Sequence, residues 1–198
     1  MRTFVIAAAL AAAATAPALG QDVYGKVFGG VAFGNEHDIT AQIVDEDLQL
    51  GVFDTKTGYV VGGALGVSPT KFFSLEAEVA HRSNSVDSAV IGGEPFDTTG
   101  NLKSLSFMAN GILSTPADFG PYAGAGAGAA RIGGEGDHDM VFAYQAFGGL
   151  KKNFGPQTVA AVEYRYFNAD EASLADSAGV ITTEYDSHSV SLVLSRKF

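Results

Sequence analysis

The chain lacks cysteine and tryptophan and is short of basic residues. Without cysteine there is no disulfide framework, so an exported protein of this size must depend on backbone hydrogen bonding and packing. Lysine and arginine together number 12 against 22 acidic residues, which gives a net charge of −10. This balance argues against a nucleic-acid partner, because such partners bind basic stripes on a protein surface.

Long hydrophobic runs are also missing after the first twenty residues. The N-terminal run from Phe4 to Ala14 follows Arg2 and precedes the small residues of Ala18-Leu19-Gly20. This layout predicts a cleaved secretory signal peptide over residues 1–20, because a membrane-spanning helix needs about 20 apolar residues. If the remaining domain, residues 21–198, crosses a membrane, it must do so as a closed barrel, since open sheet edges are not tolerated in lipid.

An alternation of apolar and polar residues runs along most of the chain. In the stretch SLEAEVAHR (74–82), Leu75 and Val79 fall on one face while Glu76 and Glu78 fall on the other. A period of two predicts a strand rather than a helix. Eight segments share the pattern, and each has about the length of a tilted membrane crossing: 23–33, 57–67, 74–82, 102–113, 121–132, 140–152, 158–167 and 187–198. Segment 121–132 alternates alanine with glycine, which leaves its facing open.

The connections alternate between long and short. Residues 34–56, 83–101 and 168–186 are long and polar and are predicted to be loops, and the shorter link 133–139 occupies a loop position. The intervening links are short and rich in proline or glycine, as turns are. The arrangement predicts an all-β fold, an eight-stranded antiparallel up-and-down transmembrane barrel with its loops outside the cell. A soluble β-sandwich or a lipocalin-like barrel is the alternative.

Two features favour the membrane barrel over the soluble folds. Charged residues of both signs occupy the middle of the polar faces, as in a barrel lumen. Aromatic residues lie near the strand ends, as in the girdles at the two membrane interfaces: Phe33, Tyr59, Phe73, Tyr122, Tyr166 and Phe198.

The lumen is the first candidate site. Eight strands enclose a space that side chains just fill. Alternation directs these residues inward: Lys26, Glu76, Glu78, Gln145, Glu163 and Arg165, with Ser104, Ser106 and Asn110. One interpretation is an ion-pair network that closes the barrel, because unpaired buried charges are costly. The other is a narrow pore lined by charges. The small bore favours closure.

Acidic residues are concentrated in the predicted loops, with Glu36, Asp38 and Asp45 in the first of them. The simplest interpretation is a solvated surface, and the alternatives are divalent-cation binding or adhesion to an extracellular ligand. The spacing matches no calcium-loop pattern, so we predict neither a metal site nor a cofactor.

Four stretches resemble the eight-stranded outer-membrane barrels of the OmpA-type and opacity-type, or porin-like, family. They are GPYAGAGAGAARI (120–132), FAYQAFGGLKKNF (142–154), EYRYF (163–167) and the terminal Phe198. The resemblance implies an outer-membrane location, contact with outer-membrane lipid and lipopolysaccharide, and Phe198 as the assembly signal. It also implies the help of periplasmic chaperones and the barrel-assembly machinery. Arg196 departs from the family pattern, because it shares the outward parity of Leu194 and Phe198.

The family implies no single activity, since its members include structural proteins, adhesins, resistance factors and narrow pores. We predict a non-enzymatic structural and cell-surface role, with a narrow channel as the alternative. A third, less favoured hypothesis comes from HRSN (81–84), which resembles the His-x-Ser-Asn run of outer-membrane lipid A deacylases. It implies a catalytic set of His81, Ser83 and Glu94, although the deacylase run lies near the C-terminus and this one lies on the third predicted strand.

Overall fold

The computed structural model describes residues 22–34, 37–43, 46–55, 57–91, 94–133, 138–176 and 179–198, with side chains in 22–33, 57–84, 103–132, 140–170 and 185–198. Ten strands follow one another: β1 Asp22–Gly34, β2 His37–Ile43, β3 Glu46–Thr55, β4 Gly58–Ser68, β5 Phe73–Ile91, β6 Glu94–Ser114, β7 Phe119–Gly133, β8 His138–Phe154, β9 Thr158–Asp176 and β10 Gly179–Lys197. No helix within these ranges is long and apolar enough to span a membrane. The predicted signal peptide lies outside the described residues.

The sheet closes on itself as an antiparallel barrel. Strand β1 pairs with β4 on one side and with β10 on the other. Beyond the end of β1, strand β2 continues the same position in the wall and pairs with β10. Strand β3 likewise continues the position of β4 and pairs with β5. The wall therefore has eight positions around its circumference, two of them built from a pair of consecutive strands. The predicted eight-stranded barrel is confirmed.

Several strands are much longer than the sequence pattern predicts. Strands β5, β9 and β10 have 19 residues each, and β6 has 21. The prediction that residues 34–56, 83–101 and 168–186 are loops is wrong for most of their length. In segment 83–101, for example, strands β5 and β6 remain paired as far as Ile91 opposite Glu94. The peptide N–H and C=O groups therefore have hydrogen-bond partners on the neighbouring strand. A crossing needs about ten residues, so the wall extends beyond a membrane's thickness at this end, the loop end.

The opposite, turn end carries the short connections at 69–72, 115–118 and 155–157. Gly155 has a φ of +75°, a left-handed conformation that glycine adopts at little cost and that suits a tight turn. The side chain of Arg196 is exposed on the outer wall near this end, in the outward position that its parity predicts.

Apolar side chains cover the outside of the barrel. Leu65, Val162 and Leu192 are more than half exposed, and Leu192 reaches 71%. Exposed aromatic side chains lie at the turn end and again toward the loop end: Phe72, Phe119, Phe154 and Phe198 in the first group, Phe33, Tyr59, Phe142, Tyr144 and Tyr164 in the second. An apolar band between two aromatic girdles is the outer surface of a membrane barrel. Tyr122 does not belong to the girdle, because its hydroxyl points inward and bonds Glu163.

Candidate functional site: the lumen network

All the predicted inward side chains lie inside the barrel and are at most 6% exposed: Lys26, Glu76, Glu78, Ser104, Ser106, Asn110, Gln145, Glu163 and Arg165. The strand period explains the placement, because successive residues point to opposite faces of a sheet. On β5, Glu76 and Glu78 therefore enter the lumen, while Leu75 and Val79 meet the surroundings of the barrel.

Ion pairs connect three strands across the bore. Lys26 of β1 pairs with Glu76 of β5, and its Nζ lies 3.5 Å from Oε2 of Glu78. Arg165 of β9 pairs with Glu78 from the other side. Its Nη2 lies 2.7 Å from Oε1 of Glu163, and its Nε donates to the same oxygen over 3.1 Å. Every charged group in this set has an opposite charge in contact.

Amide and hydroxyl groups complete the network. Gln145 Nε2 donates to Glu78 Oε1 at 3.1 Å and to Asn110 Oδ1 at 2.8 Å. The hydroxyl of Tyr24 donates to Glu76 at 2.8 Å, and that of Tyr122 donates to Glu163 at 2.9 Å. We call these nine residues the plug, and they come from six of the eight wall positions: Tyr24, Lys26, Glu76, Glu78, Asn110, Tyr122, Gln145, Glu163 and Arg165.

Aromatic rings and glycines give the plug its shape. The guanidinium carbon of Arg165 lies 4.8 Å from the ring centroid of Phe28 and 4.7 Å from that of Phe147, within cation–π range. A Cβ at Gly66 would overlap the ring of Tyr24, and one at Gly126 would overlap the amide of Asn110. Glycine at these two wall positions therefore provides the room that the large plug side chains occupy.

A cavity of about 790 Å³ enters the barrel from the turn end. Its walls carry charges of both signs, including Asp118, Lys151 and Lys197. Tyr24, Lys26, Glu76 and Tyr122 also line it, so it borders the plug from below: this vestibule leads from the turn end to the lower face of the plug.

A second polar layer lies between the plug and the loop end. We call it the Arg82 layer, and it consists of Arg82, Asn84, Ser104 and Ser187, each at most 1% exposed. Arg82 and Ser104 face each other across β5 and β6. Sequence reasoning included Ser104 but missed Arg82 and Asn84 as lumen residues. The signal was present, because Arg82 and Asn84 share the strand parity of Glu76 and Glu78.

The three residues of the deacylase hypothesis do not come together. His81 and Ser83 lie on the outer face of β5, two positions and therefore about 7 Å apart along the strand. Ser83 pairs with Lys103 of β6, whereas Glu94 pairs with Ile91 at the far end of that strand. Glu94 lies nine positions before Lys103 along the extended chain, which is about 30 Å. The prediction that Glu94 orients His81 is therefore wrong, and Glu94 begins a strand rather than lying in a loop.

Metal-ligating side chains form no suitable group in the described part of the chain: no three histidine, aspartate or glutamate residues there could share an ion. The imidazole of His81 instead lies 6.1 Å, between ring centroids, from the ring of Tyr59.

A closed antiparallel wall with an apolar outside, two aromatic girdles and a charged interior defines a transmembrane β-barrel. The family described as the outer membrane protein beta-barrel domain matches residues 4–198. The chain belongs to this family, which indicates an outer-membrane location.

Solved structures agree on the fold. Neisserial surface protein A has a TM-score of 0.59 at 15% identity, covering 89% of this chain and 97% of that one. The outer membrane protein OprG from Pseudomonas aeruginosa has a TM-score of 0.64 at 16% identity, covering 90% and 97%. The outer membrane protease OmpT from Escherichia coli scores 0.57 at 9% identity, covering 89% and 97%. A comparison with curated protein sequences gave no match. Identities this low establish a shared fold and no shared activity.

Proposed function

We propose that this protein is a non-enzymatic structural barrel of the outer membrane, with a closed lumen and a wall that projects at the cell surface. The plug is the observation that carries the proposal. It joins β1, β5 and β9 by ion pairs and adds hydrogen bonds from three further strands.

The energetics of the plug support closure. Removing one partner of a buried ion pair costs about 3–5 kcal/mol, because the other charge stays behind uncompensated. Ion passage would require Arg165 to leave Glu78 and Glu163, and Lys26 to leave Glu76, at the same time. The vestibule admits small solutes from the turn end only as far as the plug. These features oppose the narrow-channel alternative.

The long strands support the surface part of the proposal. Strand β6 has 21 residues, about twice the length of a membrane crossing, so its loop-end half projects beyond the lipid. This extension would present the acidic outer segments to lipopolysaccharide and to extracellular ligands. At the turn end Phe198 is 81% exposed and its N–H donates to the carbonyl of Val23 at 3.0 Å. That position would leave the Phe198 ring accessible to the assembly machinery during insertion.

Planar-bilayer recording tests closure. Wild-type protein should give no steady conductance above that of protein-free membranes. The double variant Glu78→Ala with Arg165→Ala removes one central pair and leaves the formal charge unchanged, so it should produce a steady current. The matched control is Asp22→Ala with Lys197→Ala, which removes an exposed pair with a separation of 2.7 Å at the turn end. The control should remain silent.

Steady wild-type conductance equal to that of the Glu78→Ala, Arg165→Ala variant would overturn the proposal and favour the channel. An envelope role also predicts that cells carrying the double variant in place of the wild type admit small hydrophilic dyes that wild-type cells exclude. Equal dye uptake in the two strains would contradict that role.

A further inference from the structure

The Arg82 layer contains a buried cation that no carboxylate contacts among the side chains that the structure describes. Arg82 is 0% exposed, and its Nη1 donates to the hydroxyl of Ser106 at 2.8 Å. Its guanidinium carbon lies 3.9 Å from the centroid of the Phe167 ring. Among the side chains that the structure describes, none accepts a hydrogen bond from Nε or Nη2. Such a group is unusual, because buried polar groups are nearly always hydrogen-bonded.

The two unsatisfied N–H groups are on one edge of the guanidinium. Nε and Nη2 form the side-on fork of arginine, whose spacing matches the two oxygens of a carboxylate. Other unsatisfied groups belong to the same layer. They are the amide of Asn84 and the hydroxyls of Ser104 and Ser187. Ser104 faces Arg82 across the strand pair, and Ser187 faces Phe167, the residue against which the guanidinium stacks.

The carboxylates of the lumen are engaged elsewhere. Glu76, Glu78 and Glu163 each contact Lys26 or Arg165. Glu78, the nearest of them to Arg82 along β5, is four residues away, which places the two Cα atoms about 13 Å apart. Among the described side chains, the plug and the Arg82 layer together hold three cations and three carboxylates, yet hydrogen bonding is local and the Arg82 fork remains unsatisfied.

We infer that the Arg82 layer binds a small free carboxylate, whose two oxygens accept from Nε and Nη2 of Arg82. Asn84, Ser104 and Ser187 supply the surrounding hydrogen-bonding groups. Apolar side chains of Ile132, Val141 and Phe167 form a buried cluster on the strands opposite β5 and suit a short hydrocarbon tail. The site lies on the loop-end side of the plug.

The test observes Arg82 directly in the full chain, refolded in detergent micelles and labelled with ¹⁵N-arginine. The chain has five arginines, at positions 2, 82, 131, 165 and 196, so the Nε–H spectrum is simple. Sodium acetate is titrated at constant ionic strength, with sodium chloride in a parallel series. We expect a saturable change of the Arg82 signal with acetate, weaker change with chloride, and none beyond a linear drift for exposed Arg131.

Two substitutions test whether acetate binding depends on Arg82. Arg82→Lys keeps the charge but loses the fork. Because this variant has no Arg82 signal, its acetate binding is read from the acetate-dependent shift of the urea-unfolding midpoint and compared with that of the wild type. Binding should be weaker by at least about tenfold, the worth of one hydrogen bond to a charged group. Arg131→Lys on the outer wall is the matched control and should leave binding unchanged. If Arg82→Lys does not fold, Phe167→Leu identifies the Arg82 signal instead, since it removes the ring current of the stacked ring.

Three outcomes would overturn the inference. The Arg82 signal does not move with acetate, or it drifts linearly as Arg131 does, which indicates that solvent satisfies the fork. Chloride gives an equal saturable change, which excludes a carboxylate-specific site. Arg82→Lys binds acetate as well as the wild type, which excludes the bidentate contact.

Discussion

The plug and the Arg82 layer are neighbouring layers of one lumen, and they satisfy their charges differently. In the plug, Lys26 and Arg165 each contact two carboxylates, and tyrosine and glutamine side chains add further hydrogen bonds. In the Arg82 layer one cation has a serine and an aromatic ring as its side-chain contacts in the described structure. Burial alone therefore does not reveal what a charged residue does, since the first arrangement pairs every charge across the bore and the second leaves hydrogen-bonding capacity unused.

This difference predicts that removing a charged side chain lowers the free energy of unfolding more in the plug than in the Arg82 layer. Arg165→Met leaves Glu78 and Glu163 buried without their shared cation, so it should lower the free energy of unfolding by about 3–5 kcal/mol. Urea unfolding in micelles, followed by far-ultraviolet circular dichroism, measures the loss. Arg131→Met on the outer wall is the control and should change stability by less than about 0.5 kcal/mol.

A double variant sharpens this result. Arg165→Met with Glu163→Gln neutralises the carboxylate whose ion pair the first substitution removes, whereas Glu78 keeps Lys26 within 3.5 Å. Part of the lost stability should therefore return. A loss for Arg165→Met no larger than that for Arg131→Met would show that the plug charges are solvated. The distinction between the two layers would then disappear.

Overpacking beside the plug should lower the free energy of unfolding by a smaller amount than removing a plug charge. Gly126→Ala places a methyl group against the side-chain amide of Asn110, which bonds Gln145. Overpacking of this kind costs about 1–3 kcal/mol. Gly29→Ala is the matched control, because its nearest neighbour would lie at an ordinary 3.7 Å, and the same urea titration compares the two. Equal stability of the two variants would mean that the plug can shift within the bore.

The period of two predicted the eight wall positions and the inward facing of the plug charges, because a strand with one apolar face has a fixed register. It could not predict which charges meet. Arg165 contacts Glu78 from 87 positions away, and that pairing depends on barrel closure. It also misplaced Tyr122, since the alanine–glycine alternation of β7 offers no contrast between its faces.

The strand extensions were missed for a related reason. Alternation of apolar and polar residues identifies strands that have lipid on one face and a polar interior on the other. In segments such as 83–101 this alternation is weak, and their strand structure is evident only from the backbone pairing. Arg82 and Asn84 lie at the border of such a segment, which explains why the predicted lumen stopped at Glu78 on β5.

The smallest expected effect is in the Arg82 layer. Arg82→Met removes one hydrogen bond to Ser106 but also removes a buried charge that none of the described carboxylates contacts. Replacing a poorly satisfied buried charge by an apolar side chain of similar length is often neutral, so stability in carboxylate-free buffer should change by about 1 kcal/mol or less. Acetate should then stabilise the wild type through binding to the folded state, and should leave Arg82→Met unaffected. A loss as large as that of Arg165→Met would contradict the contrast, because it would make Arg82 a structural member of the plug.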